Sequence, residues 1–235
     1  MEKPEIADVQ SGSWGRKRKS SLKTKQLQKV IIMIASETLV RDYTGKTHMA
    51  EVINKHLDNI WHAVDGIVDE PLFTKQRLKI LWVLREPNGG DFDFMEYLRN
   101  VTDYPRWKSS YGLVVKVSRI ILDELFDNEN NWQEANPEVM KRIALINIKN
   151  TEGGSTVNWD KLTTSFNSDK SFLTKKIGEI KPDLIICGGT YHYIKELDIQ
   201  GCPTLNLYHP NQRSITHKKY IEMAISQYTG YHQSL

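Results

Sequence analysis

The sequence contains few cysteines and no recognisable set of metal ligands. Its 235 residues include only two cysteines, too few for a four-cysteine zinc or iron–sulfur site. Cys187 and Cys202 both lie within or beside apolar segments. This pattern favours buried thiols in a reducing compartment over a disulfide scaffold. We therefore expect no metal ion and no other cofactor.

The chain also lacks an apolar stretch long enough to cross a membrane, and its N-terminus lacks the apolar core of a secretory signal. From these absences we expect no membrane partner and a cytoplasmic location, or a nuclear one in a eukaryote. The net charge is only +3, so overall charge identifies no partner. The length suits one domain with a sizeable core, which we expect to be a monomer.

Basic residues are concentrated near the N-terminus. Residues 1–25 are polar and without periodicity, which predicts a flexible arm ahead of a single domain over 26–235. Between positions 16 and 29 there are seven basic residues and no acid: Arg16, Lys17, Arg18, Lys19, Lys23, Lys25 and Lys29. Such an arm is either a solvated tail, a contact for nucleic-acid backbone or a nuclear-import signal.

One apolar run, Ile80 to Leu84, predicts a strand that is buried on both faces, as in the centre of a parallel sheet. Pro87 ends the strand because proline has no N–H for the ladder and disfavours the α conformation at Glu86. Asn88-Gly89-Gly90 then allows a sharp bend. Glu86 is therefore expected at the carboxyl end of a central strand.

Three more apolar runs predict strands at 143–146, 184–187 and 204–208, and the segments between them predict helices. The helices are expected at 26–40, 47–64, 92–100, 113–125 and 168–181, with a last one capped by Ser214 and a loop at 101–110. Alternating strands and helices are typical of an α/β fold. We expect a three-layer α/β/α sandwich around a four-stranded parallel sheet.

A polar or glycine-rich sequence follows each predicted strand. The four sequences contain Glu86-Pro87, Asn147, Gly188-Gly189-Thr190 and His209-Pro210. The carboxyl ends of parallel strands meet at one edge, where open α/β sheets bind ligands. These residues are therefore expected to share a cleft. Each also has a simpler reading: Glu86 in a surface ion pair, Asn147 at a strand terminus and His209 in a turn.

These strand ends resemble the uracil-DNA glycosylase superfamily. Members have a first strand ending in a Gly-x-[Asp/Asn/Ala]-Pro motif, a second ending in Leu-x-Asn, a third followed by a glycine loop and a fourth ending in His-Pro. The corresponding segments, in order, are Leu84-Arg-Glu-Pro-Asn88, Leu145-Ile-Asn147, Cys187-Gly-Gly-Thr190 and Tyr208-His-Pro-Asn211. In the first of them, Leu84 stands in place of the glycine and Glu86 in place of the aspartate, asparagine or alanine. The resemblance covers about residues 79–227 and implies a uracil-DNA-glycosylase-like fold.

The resemblance also implies roles for individual residues, with DNA as the partner. Glu86 and His209 would be catalytic, the first opposing the charge on the sugar cation and the second donating a hydrogen bond to the departing base. The base would contact Pro87, Asn88 and Asn147 and stack on Trp107 or Tyr111. The DNA backbone and the gap left by the flipped base would be contacted by Gly188, Gly189, Thr190, Gln212 and Arg213.

The implied reaction is hydrolysis of the N-glycosidic bond of a flipped base, which leaves an abasic site. The expected enzyme is a monofunctional DNA glycosylase acting on uracil or another modified pyrimidine. Uracil-restricted members carry a tyrosine against pyrimidine C5, whereas this chain has the smaller Asn88. The expected substrates therefore include pyrimidines with a substituent at C5. The role would be repair or defence against phages with modified DNA. The alternatives are a non-catalytic DNA-binding protein and a nucleotide or nucleoside hydrolase.

Overall fold

In a computed structural model of the chain, the structure describes residues 65–87, 94–150, 153, 156–199 and 201–232. The basic arm over 1–25 and the helices predicted over 26–40 and 47–64 lie outside the described residues, as do Asn88, Gly89 and Gly90. Nothing in the structure therefore bears on those predictions.

The described part of the chain is a mixed α/β structure around a five-stranded, mostly parallel sheet. The strands are β1 (Gly66–Ile67), β2 (Ile80–Leu84), β3 (Ala144–Asn147), β4 (Leu184–Gly188) and β5 (Thr204–Leu207). Their order in the sheet is β1-β3-β2-β4-β5, and only the edge strand β1 is antiparallel to its neighbour. The carboxyl ends of β2, β3, β4 and β5 therefore point the same way.

The prediction of four strands was wrong by one. The four parallel strands are present, and a fifth, β1, pairs Gly66 with Leu145 and Ile67 with Ala144. Two residues are too few for either strand or helix periodicity to register in the sequence. This strand therefore forms because the outer edge of β3 offers it a partner.

Helices connect the strands and pack on both sides of the sheet. They are α1 (Glu70–Thr74), α2 (Phe94–Arg99), α3 (Tyr104–Leu122), α4 (Glu129–Gln133), α5 (Trp159–Ile180), α6 (Tyr191–Ile194) and α7 (His217–His232), with 3₁₀ turns at Val101–Asp103 and Pro137–Arg142. One apolar cluster joins the sheet to α3 and α7, and a second joins it to α5 and α6. This arrangement is compatible with an α/β/α sandwich.

The apolar run of β2 is explained by these two clusters. Ile80, Trp82 and Leu84 belong to the cluster with α3, while Leu81 and Val83 belong to the cluster with α5. Side chains alternate along a strand, so a strand covered on both faces needs apolar residues throughout. The indole N–H of Trp82 is satisfied by the Ser118 hydroxyl of α3 at 2.9 Å. This bond fixes the C-terminal part of α3 against the middle of β2.

The loop predicted over 101–110 was wrong. After the short helix α2, a 3₁₀ turn leads directly into α3, which begins at Tyr104. Pro105 lies in the first turn of α3, where a missing N–H costs nothing because those N–H groups have no partner within the helix. The proline therefore belongs to the start of the helix and not to a loop.

Two other helix starts were also misplaced. The helix expected from Ser168 begins nine residues earlier at Trp159, where the Asn158 side chain accepts a hydrogen bond from the Lys161 N–H. The last helix begins at His217, and the Thr216 hydroxyl, rather than Ser214, accepts from the Lys219 N–H. Polar residues within a helix and at its cap are the same residue types. Sequence alone therefore leaves helix starts poorly defined.

None of the helices in the described part of the chain is long and apolar enough to cross a membrane. Cys187 and Cys202 are both free thiols. Cys187 is buried in β4, and burial raises its pKa to about 12. A thiol of this kind is an inert core side chain.

Candidate functional site

The direction in which the chain winds reverses between the neighbouring strands β2 and β4. The chain leaves β2 towards β3 on one side, whereas it leaves β4 towards β5 on the other. Such a reversal is the switch point at which open α/β sheets form their ligand sites. Leu84 is level with Asn147, and Gly188 is level with Leu207. The predicted site residues therefore follow strands that end at the same height.

Glu86 lies just beyond the end of β2 and is held by Lys149. The Lys149 Nζ donates to Glu86 Oε2 at 2.7 Å, and the two side chains are only 13% and 10% exposed. The backbone brings them together because the Ile148 and Lys149 N–H groups donate to the Leu84 and Arg85 carbonyls at 2.9 Å. The ion-pair reading of Glu86 is therefore realised, with Lys149 as the partner and in a largely enclosed position.

Gly153 brings the backbone directly against Glu86. Its N–H donates to the Pro87 carbonyl at 2.9 Å. A Cβ at this position would lie 2.4 Å from the Glu86 carboxyl carbon, far inside van der Waals contact. Only glycine fits here without displacing the carboxylate. The segment after β3 thus covers Glu86 on one side and Lys149 holds it on another.

His209 follows β5 and has a defined protonation state. Its Nδ1 accepts a hydrogen bond from the Asn211 N–H at 3.2 Å, so the ring proton of the neutral imidazole belongs on Nε2. Burial lowers the pKa of His209 to about 3, with the nearby Arg85 charge adding to the effect. The ring is therefore a neutral hydrogen-bond donor through Nε2 at ordinary pH.

The turn after β4 packs tightly beneath His209. A Cβ on Gly188 would lie 2.5 Å from Leu84 Cδ2, and one on Gly189 would lie 3.3 Å from the backbone nitrogen of His209. Gly189 also has a φ of 74°, which favours glycine. The Gly189 N–H donates to the Leu207 carbonyl, and the buried Thr190 hydroxyl donates to the Val83 carbonyl. These two donors therefore serve the sheet, and the DNA contact expected of this turn stays a prediction.

Asn147 is held in place by a hydrogen bond from its backbone N–H, and its side-chain amide forms no hydrogen bond to the described residues. Its N–H donates to Asp65 Oδ2 at 2.7 Å, and Asp65 forms a buried ion pair with Lys176 of α5. The side chain is 1% exposed, and neither its oxygen nor its nitrogen has a hydrogen-bond partner among the described residues. Strand alternation places it on the same face as Leu145, the face covered by α3.

Trp107 and Tyr111 lie on α3 and are packed in the core on that face. The rings of Tyr104 and Trp107 meet edge to face, with their centroids 4.6 Å apart. Trp107 lies in the first turn of α3, about 16 Å along the helix from Ser118. The indole nitrogen of Trp107 has no partner among the described residues. Stacking on a base by either ring stays a prediction.

Gln212 and Arg213, the two residues expected to enter the gap left by a flipped base, differ in how their side chains are held. The Gln212 side chain accepts from the Ser214 and Ile215 N–H groups at 2.6 and 2.9 Å and therefore shapes the turn before α7. Arg213 is exposed. If this loop enters DNA, Arg213 is the better placed of the two.

Sequence reasoning singled out neither Lys149 nor Gly153 beside Glu86, nor Asp65 and Lys176 behind Asn147. The polar segment that begins at Lys149 was visible, but nothing in it specified which side chain would turn towards β2.

No cluster of three potential metal ligands occurs in the ranges that the structure describes. Comparisons with protein-family models, curated proteins and solved structures gave no match. The geometry of this site and the sequence motifs are therefore the only indications of a function.

The pKa of His209 predicts how the stability of the protein depends on pH. An unfolded histidine has a pKa near 6.5, whereas His209 in the folded chain titrates at about 3. The unfolded state thus binds more protons between these values, so this group's stabilising contribution is complete above pH 6.5 and is lost as pH falls towards 3. Urea unfolding measures the free energy of unfolding at pH 7 and at pH 5. The decrease from pH 7 to pH 5 should be larger for the parent than for His209→Gln. Equal losses would contradict the enclosed, neutral imidazole.

Proposed function

We propose that this protein is a DNA glycosylase that hydrolyses the N-glycosidic bond of a flipped pyrimidine. It would share the three-layer fold of the uracil-DNA glycosylase superfamily, which its strand-end motifs resemble. The observation that carries the proposal is the set of groups at one sheet edge. They are the Glu86 carboxylate, a neutral His209 donor and the buried Asn147 amide, which has no partner among the described residues.

Cleavage of an N-glycosidic bond creates two charges that these groups suit. The sugar gains oxocarbenium character, which a carboxylate stabilises, and Glu86 also has an oxygen to orient the attacking water. The departing pyrimidine carries negative charge on a carbonyl oxygen. The Nε2–H of His209 stabilises that oxygen without transferring a proton, as donors of an oxyanion hole do. A low pKa suits this role because it keeps His209 in one protonation state.

The amide of Asn147 suits recognition of the base. A carboxamide offers two donors and one acceptor, which complement the polar edge of a pyrimidine. Leaving such a group buried and unpaired costs the folded protein about 1–3 kcal/mol. A bound base edge would offset that cost, so the energetic penalty of the unliganded state becomes part of the substrate's affinity.

The test is base release from oligonucleotides that carry uracil or 5-substituted pyrimidines, as single strands and as duplexes. Alkaline cleavage reveals abasic sites, and chromatography detects the free base. The proposal requires release of at least one of these bases. If free nucleosides or nucleotides are cleaved and the oligonucleotides are not, the enzyme is a nucleoside or nucleotide hydrolase. DNA binding without any release would mean a non-catalytic DNA-binding protein.

Replacement of Asn147 by leucine separates a binding role from a structural one. Leucine has nearly the same volume and removes a buried amide that has no partner in the described structure. The free energy of unfolding should therefore stay the same or rise by about 1–2 kcal/mol, while base release falls sharply. Both quantities are needed, from urea unfolding and from the oligonucleotide assay. A variant that is destabilised by several kcal/mol would assign Asn147 to the core instead.

A further inference from the structure

Lys149 is the one cation that directly contacts the proposed catalytic carboxylate among the ion pairs of the described residues. The contact of 2.7 Å places its Nζ within a hydrogen bond of Glu86 Oε2. Its position is determined by the sheet, because the Lys149 N–H continues the β2–β3 ladder by donating to the Arg85 carbonyl. Lys149 is therefore held in place by a hydrogen bond from its backbone N–H and by another from its side-chain amine.

The proposed reaction brings a carbonyl to this amine. Glu86 acts at C1′ of the sugar, so a group in contact with Glu86 lies within a few ångströms of C1′. Once the base has left and water has added, C1′ becomes the aldehyde of an abasic site when the sugar ring opens. A lysine amine condenses readily with such a carbonyl. The Lys149 side chain is only 13% exposed, and its Nζ is held at 2.7 Å from Glu86 Oε2, a carboxylate that can accept the ammonium proton.

We propose that Lys149 forms a Schiff base with the abasic-site aldehyde, so that the protein holds its product covalently and has lyase activity. Glu86 first accepts a proton from the Lys149 ammonium. The Nζ lone pair then attacks C1′, and the C1′ oxygen takes one proton from the attacking nitrogen. Glu86 returns its proton to the same oxygen, which leaves as water and gives a protonated imine and a Glu86 carboxylate. Only the placement of Glu86 beside C1′ rests on the proposed function.

The imine also activates the adjacent carbon. Its positive nitrogen withdraws electrons from C2′, so a base such as the Glu86 carboxylate removes a C2′ proton. That electron pair forms the C2′–C3′ double bond, the C3′–O bond breaks and the 3′ phosphate leaves. Water then hydrolyses the imine and returns the free amine. The family resemblance implies a monofunctional enzyme, and the sequence does not indicate that Lys149 lies against Glu86.

The experiment uses the full chain and an oligonucleotide with a preformed natural abasic site, in the presence of sodium borohydride. Borohydride reduces an imine to a stable secondary amine, so protein and DNA become cross-linked and migrate together on a denaturing gel. We expect this cross-link, and mass spectrometry of the digested product should locate it on Lys149. DNA with a tetrahydrofuran analogue, which has no aldehyde, should give none.

Two variants make the result specific. Lys149→Arg keeps a cation beside Glu86 but provides no amine to form an imine, so the cross-link should be lost while thermal melting reports that the chain is folded. Lys170→Arg replaces an exposed lysine that pairs with Glu196, which follows α6 in the chain. This variant should cross-link like the parent. Absence of a cross-link in the parent, or its location on another lysine such as one of the basic arm, overturns the inference.

The experiment distinguishes failure of this inference from failure of the proposed function. The abasic site is supplied in the oligonucleotide, so the chain need not release any base for the imine to form. Base release without a cross-link leaves the glycosylase proposal intact and removes the lyase. A Lys149 cross-link without base release from any substrate supports the lyase and removes the glycosylase.

Discussion

Replacement of Glu86 by glutamine is expected to lower base release roughly 100-fold or more, the usual size of effect for an acid–base or electrostatic group. Glutamine keeps the shape of the side chain but removes the negative charge that would oppose the sugar cation. Binding of DNA should persist because phosphate contacts dominate affinity. The measurements are single-turnover base release and a DNA-binding titration at fixed salt concentration.

The matched control for this variant is Glu196→Gln. Glu196 also pairs with a lysine, but that pair is on the surface, with 40% exposure of Lys170 and 50% exposure of Glu196. Its loss should leave base release unchanged. Because Glu86→Gln also removes the partner of Lys149, thermal melting should accompany the kinetics. A folded Glu86→Gln variant with near-parental base release would remove Glu86 from the catalytic role.

Replacement of Lys176 by methionine is expected to destabilise the folded chain by about 3–5 kcal/mol, because it leaves a buried carboxylate without its cation. Asp65 and Lys176 are 1% and 2% exposed, so water cannot take the place of the missing partner. Asp65 also accepts the Asn147 N–H, and the same change should disturb the end of β3. Urea unfolding measures the loss of stability.

Lys170→Met provides the comparison, since it breaks an exposed lysine–glutamate pair on the same helix. Such surface pairs contribute about 0–1 kcal/mol. If the two variants lose similar stability, Asp65 and Lys176 are not a desolvated pair, and the support of Asn147 lies elsewhere. A second comparison, Asp65→Leu with Lys176→Met, should recover part of the stability because no buried charge remains unpaired.

The sequence was most informative where a strand is covered on both faces. Burial on both faces demands an unbroken apolar run, and β2, β3 and β4 are such runs flanked by turn residues. Strands of this kind were predicted to within one residue at either end. The two residues of β1 carry no pattern of their own. That strand depends on an edge that exists only after β3 has paired.

The site was predictable as a set of strand ends but not as a set of contacts. Register and strand direction follow from the fold, so Glu86, Asn147 and His209 could be expected at one edge. The pairing of Glu86 with Lys149 depends on how the chain bends after β3, where Gly153 admits a close approach that no periodicity records. The burial of Asp65 and Lys176 depends on tertiary packing of charges that usually lie at the surface.

The strand order also has a kinetic consequence. The central strand β2 is the first of the parallel strands in the chain, and both of its neighbours come from much later segments. Contacts between distant segments form slowly because long loops must close first. Glu86 and His209 are more than a hundred residues apart, and both lie at the same sheet edge only when β4 and β5 have docked. During refolding, helical signal should therefore return before the proposed base release, whose recovery would report the last step of sheet assembly.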